Sequence, residues 1–258
     1  MMTLGPAAVV RAVGVGALAN GATQLNLAGG VLELRSNGTG SNQNISFGNA
    51  AQLTSNSVID VNRDTANSNN QLRLGSLDIG ANTLTVTGGN GYSLGVTGTT
   101  TLAAGATIDA TTAAITLVGQ VTGAGASLTK TGVAVLRLEG TTNDYSGGTT
   151  VTGGTLIAAN ASGSATGTGA VTVQSAGTLA GTCFITGAVT VNGVKVEPGI
   201  NGAGILTLGS LTLTNSPSLN FQLAAPASAT DDFINVTGAV ALNGTVNVTE
   251  LTAGTFAA

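Results

Sequence analysis

Eleven carboxylates, five arginines, two lysines, a single cysteine and no histidine make up the ionisable side chains of greatest catalytic use in this chain. Hydroxyls are plentiful. Without an imidazole, however, the sequence holds no Ser-His-Asp triad, no histidine metal ligand and no histidine general base. Glycoside hydrolysis needs two carboxylates facing one groove, and the acidic residues here are dispersed. Asp231-Asp232 is the one adjacent pair. Neighbours on a strand point to opposite faces, so the pair reads as a turn before a strand at Phe233 rather than as a catalytic or calcium site. Gly88-Gly89-Asn90-Gly91 lacks the aspartate of the calcium-binding nonapeptide repeat and the Lys-Ser/Thr of a phosphate loop. No catalytic, cofactor-binding or metal-ligating residue is assigned, and the chain reads as a non-enzyme.

The residues that remain are arranged to build. From Leu128 to Thr182, short runs alternate apolar and polar side chains: Leu136-Arg137-Leu138-Glu139, Thr149-Thr150-Val151-Thr152, Thr155-Leu156-Ile157 and Ala170-Val171-Thr172-Val173. A period of two puts one set of side chains on each face of a strand. Gly132, Gly140, Gly147-Gly148, Gly153-Gly154, Gly169 and Gly177 separate the runs and supply the conformations that sharp corners require. Strand and corner repeated without helices predict an all-β chain wound into a β-solenoid, a right-handed parallel β-helix over residues 1–258, clearest at 123–182.

This block resembles the passenger-associated repeat of bacterial autotransporters. The matching residues are Leu128-Thr129-Lys130-Thr131-Gly132, Leu136, Leu138, Gly140, Asn143, Tyr145, Gly147-Gly148-Thr149-Thr150-Val151 and Gly153-Gly154-Thr155-Leu156. Ala134-Val135 stands where that family usually has Gly-Thr, and Asp144 where it usually has Thr. The resemblance covers about fifty residues closely and the rest diffusely. It implies an exported β-helix and a repeat that is structural rather than catalytic. The near-absence of cysteine agrees with that mode of secretion.

Composition points the same way. Of 258 residues 40 are Gly, charged residues are 7% and aromatic residues 3%, where an ordinary domain has about 25% charged residues. A solenoid core is a narrow column that Val, Leu, Ile, Ala and Thr fill. Like charges stacked about 4.8 Å apart would repel along its length. Leu, Val and Ile recur too regularly for a disordered chain. The runs are too short for a membrane barrel, whose strands need roughly 9–11 alternating residues. A net charge of −4 and a pI near 4.5 leave no basic patch for nucleic acid. Cys183, in the apolar run Cys183-Phe184-Ile185, is expected to be a buried, inert thiol.

Read in order, Met1 to Ala22 is Gly-interrupted, with its first basic residue at Arg11. It resembles neither a signal peptide nor a membrane helix and reads as another coil, as though the chain began inside a solenoid belonging to a longer exported protein. Asn62 to Gln71 is the most polar tract and the expected protruding loop; stacked Asn side chains can form amide ladders. Pro217 and Pro226 bracket a strand at Phe221, where a longer excursion is expected. Glu250 to Ala258 shows no recognisable cap. Tyr145 is expected to be structural, while Lys130, Arg137 and Glu139 suggest exposed salt bridges between coils. At about twenty residues per coil, roughly a dozen coils would make a rod on the order of 60 Å long.

The expected function is a structural or adhesive segment at the bacterial cell surface, outside the cell and linked to the outer membrane through a part not present here. It needs no cofactor, does not bind nucleic acid and does not insert into the membrane. Its expected partners are other copies joined end to end, through open sheet edges, and a surface glycan or cell surface. The alternative is a binding module whose Thr-rich face recognises a repetitive surface such as ice or a glycan. Thr85-Val86-Thr87, Thr99-Thr100-Thr101 and Thr212-Leu213-Thr214 motivate it, although their irregular spacing argues against alignment in one file.

Overall fold

The computed structural model describes residues 1–174, 176–192, 194–199, 202–223 and 231–250. The alternating runs form strands, and each strand pairs in parallel with its counterpart in the next turn of the chain. The result is a parallel β-solenoid of about 10 turns, close to the dozen expected. Several turns exceed twenty residues: Val173 pairs with Val191, 18 residues on, but Leu32 pairs with Ile59, 27 residues on. With about 4.8 Å between turns, the rod is on the order of 50 Å long.

Three sheets line its sides. The first runs from Met2–Leu4 to Val121–Thr122, the second from Val9–Val13 to Phe233–Val236, and the third from Asn44–Ser46 to Thr245–Glu250. Between them lies one column of apolar side chains. On the third sheet an inward file passes through Ile45, Leu72, Leu94, Ile115, Leu136, Leu156, Leu179, Val196 and Leu219, each in register with the next. From Leu72 to Val196 these residues are fully buried, and each such side chain contributes about 1.5–3 kcal/mol. The stabilisation is therefore spread along the axis, and Phe47, Tyr92 and Tyr145 add buried rings to the same core.

The N-terminal segment is a coil as expected, but with one departure. After the strand Val9–Val13 the chain makes a 3-10 segment, Val15–Gly21, kinked where Ala19 and Asn20 take left-handed angles. Among the described residues no helix is long and apolar enough to cross a membrane.

The polar tract after Asn62 does form a loop, and it is held down. Asn37, one turn earlier, accepts the backbone N–H groups of Asp64, Thr65 and Ala66 through its side-chain oxygen, at 3.1, 2.9 and 2.9 Å. Asn70 is buried and donates to the Asn37 and Gly40 carbonyls and to the Tyr92 hydroxyl. Stacked asparagine pairs join successive turns elsewhere: Asn90 to Asn62 at 2.8 Å and Asn247 to Asn220 at 2.9 Å. Phe221 lies in the strand Ser218–Leu223, with Pro217 before it. Pro226 and residues 251–258 lie outside the described residues.

Candidate functional site

Two features concentrate the chain's unusual chemistry: the 128–158 block and a file of threonines beside it.

In the block, the strand Leu128–Thr131 alternates in, out, in, out, so that Lys130 points into the core. It occupies the inward file of the second sheet, in register between Ile108 and Val151, and is fully buried. Its ammonium donates to the carbonyl oxygens of Thr131 at 2.5 Å, Gly132 at 2.9 Å and Gly153 at 3.1 Å. The ammonium therefore satisfies corner carbonyls of its own coil and of the next. Burial pushes its pKa down to about 8, opposed by the charge of Asp109. The expected exposed bridge at Lys130 is thus corrected, because the alternation that places Leu128 inward places Lys130 inward too. Arg137 and Glu139 do pair, at 2.6 Å, but within one turn rather than between coils. Gly132 takes φ +72° at this corner, where a Cβ would run into the Ala110 carbonyl.

Asn143 solves a different problem. The first sheet stops at Val121–Thr122, yet the Val121 N–H still needs an acceptor in the buried interior. The Asn143 side-chain oxygen accepts it at 2.7 Å, and the Asn143 amide donates to the Ala165 carbonyl at 2.7 Å. Ala165 in turn donates its N–H to the Phe184 carbonyl at 2.9 Å, where the long strand Phe184–Asn192 begins. One side chain thus stands in for a missing ladder rung. Tyr145, expected to be structural, is wholly buried, with its hydroxyl 2.7 Å from that of Thr149. Burial raises its pKa above the ordinary phenol value, opposed by that hydrogen bond.

The second feature runs along the outer face of the second sheet. Thr83 pairs with Thr107, which pairs with Thr129, and the register continues through Thr150, Thr172, Thr190 and Thr212. Seven successive turns place a half-exposed threonine at one position. Sequence spacing concealed this file, because turn lengths vary. Of the motifs that suggested a threonine face, Thr212 belongs to the file and Thr85 to the neighbouring one, while Thr100 and Thr101 sit on the first sheet. The usable signal was Thr followed by an inward residue once per turn, as in Thr129-Lys130, Thr150-Val151 and Thr172-Val173.

The remaining candidates are structural in their contacts. Asp232 is buried and accepts the Gly204 N–H at 2.7 Å and the Gln222 N–H at 2.6 Å, tying the start of the Phe233 strand to two others. Burial raises its pKa against those two bonds. It shares with Glu197 a surface groove of about 290 Å³. Among the described residues no group of three or more His, Cys, Asp or Glu is placed to hold a metal. Asn90 and Gly91 form a corner packed on the preceding turn. Cys183 is buried, and burial pushes its thiol up to about 11.

Neither a curated protein nor a solved structure matches the chain. Residues 128–158 match the family model of the Passenger-associated-transport-repeat, the same residues that hold the Lys130, Asn143 and Tyr145 contacts. The chain is a parallel β-solenoid whose central residues 128–158 are similar to the Passenger-associated-transport-repeat.

Proposed function

We propose that this chain is a segment of an exported bacterial surface protein in which the solenoid serves as a rigid stalk, outside the cell and without a catalytic role. The observation that carries this reading is the repeat at 128–158 set within a second-sheet ladder that continues on both sides of it. The repeat's buried polar side chains Lys130, Asn143 and Tyr145 are spent on internal hydrogen bonds, as a scaffold requires. Small-angle scattering of the isolated chain, with protease accessibility on intact cells that export it through a fused translocator, tests both halves. A rod on the order of 50 Å long that is cleaved from outside supports the stalk; a chain retained inside the cell rejects it.

The same reading includes end-to-end association. In the last described strand, Thr245–Glu250, the apolar side chains of Val246 and Val248 are largely exposed. Burying them against another copy is favourable. Sedimentation at rising concentration should show growing species, and a monomer at every concentration rejects this part.

The threonine file favours a second reading, in which the outer face of the second sheet recognises a repetitive neutral surface such as ice or a glycan.

A further inference from the structure

We infer that the threonine file is an ice-binding face; this rests on the second reading above and names its ligand. Seven rungs about 4.8 Å apart give a line of hydroxyls and methyls roughly 29 Å long. Beside it, two residues along each strand and so about 6.6 Å away, runs a second rank that includes Thr85, Asp109, Thr131 and, further on, Asn192 and Thr214. Where the second rank is paired, over Thr85 to Thr131 and over Asn192 to Thr214, the two ranks make a two-dimensional grid.

Three properties of the first rank suit a solid, uncharged partner. It contains no charged residue, so it offers nothing to an ionic surface. On its other side Gly105, Ala170 and Ala188 are exposed and small, so no long side chain stands above the threonines. Its hydroxyls are also uncommitted. Among the described residues only that of Thr107 is hydrogen-bonded, to the Gly105 carbonyl at 3.4 Å. Outside this first rank threonines spend theirs on the protein: Thr87 on Asp60, Thr152 on the Lys130 carbonyl and, in the second rank, Thr214 on the Val191 carbonyl.

The choice of ice over a glycan follows from what the grid lacks. A sugar ring presents an apolar face that aromatic side chains cover well, and neither rank has one. Ordered water repeats in two directions and asks only for regularly placed hydroxyls and methyls. Threonine is stiff about χ1, and its neighbours in the ladder fix the backbone. Little conformational freedom is left to lose when the face meets a rigid lattice.

The test is partition of the N-terminally labelled chain into slowly grown ice, with binding to crystalline cellulose measured in parallel. The variants are Thr150→Tyr/Thr172→Tyr, which raises two rings above the grid, and Thr101→Tyr, an exposed threonine of the first sheet. Circular dichroism verifies the fold of each. Should the tyrosine pair unfold, Thr150→Val/Thr172→Val removes the hydroxyls and keeps the branched shape. Enrichment of the native chain in ice, reduced roughly tenfold or more by the rank variants and unchanged by Thr101→Tyr, supports the inference. Exclusion from ice with threonine-dependent cellulose binding overturns it and leaves the broader reading standing. Exclusion from both surfaces overturns both, and enrichment that the rank variants do not alter overturns the assignment of this face.

Discussion

The Lys130 ammonium donates to the Gly153 carbonyl at 3.1 Å, across the boundary between one turn of the solenoid and the next. A basic side chain inside an apolar column is costly unless its hydrogen bonds are satisfied. Three carbonyl acceptors repay part of that cost here. The arrangement joins two corners that glycines leave without side-chain support, at Gly132 and at Gly153-Gly154.

Lys130→Met is expected to destabilise the repeat by about 2–4 kcal/mol, because it leaves buried carbonyls without their donor. The thermal midpoint measures this, and amide exchange at residues 132–154 localises it. A variant as stable as the native chain would show the three bonds to be dispensable.

The same residue predicts a pH dependence. The folded pKa of about 8 lies below the ordinary value of 10.5, so between these values the unfolded chain binds more protons. Stability from this group therefore rises with pH from about 8 towards 10.5. The difference in stability between the native chain and Lys130→Met should widen over that range. A constant or narrowing difference contradicts the assignment.

Asn143→Ala should cost about 2–3 kcal/mol, since both the Val121 N–H and the Ala165 carbonyl lose their partner. Asn143→Asp keeps an acceptor for Val121 but has no N–H for Ala165, and it adds a buried charge, so it should be at least as damaging. Faster exchange of the Val121 amide in both variants is the specific readout.

Tyr145→Phe keeps the ring and deletes one hydrogen bond to Thr149, at a cost of about 1 kcal/mol. Tyr145→Ala also empties a core position and should cost about 3–5 kcal/mol. Comparing the two by denaturation separates the ring's packing from its hydroxyl.

Cys183 should resist alkylation at pH 8 while the chain is folded and react once it is denatured. Its thiol, held up to about 11 from an ordinary 9, contributes stability that is complete below pH 9 and is lost as pH rises through about 11. Cys183→Ala should remove that decline, while rapid labelling of the native chain would contradict its burial.

Much of this protein was legible as sequence because a solenoid is local in one respect: alternation sets which side chains face inward, strand by strand. Leu136 and Leu138, or Val171 and Val173, announce their burial without reference to any distant residue. Tyr145 reads as structural from its repeat position, and Cys183 as buried from the apolar run around it. Lys130 was legible by the same rule, but its charge suggested exposure, and only the three converging carbonyls show why an inward lysine is tolerated.

The sequence by itself determined the strand-and-corner construction, the parallel stacking and the apolar column, since these follow from a period of two, glycine at corners and the scarcity of charge. The tertiary structure decided register. Turns of 18, 22 and 27 residues cannot be aligned by counting, because loops of different length leave and rejoin the same strands. Only the hydrogen-bonded ladders bring seven scattered threonines into one file. They also place the Asn143 side chain opposite Val121, 22 residues away, where the first sheet ends and a backbone N–H would otherwise lack an acceptor.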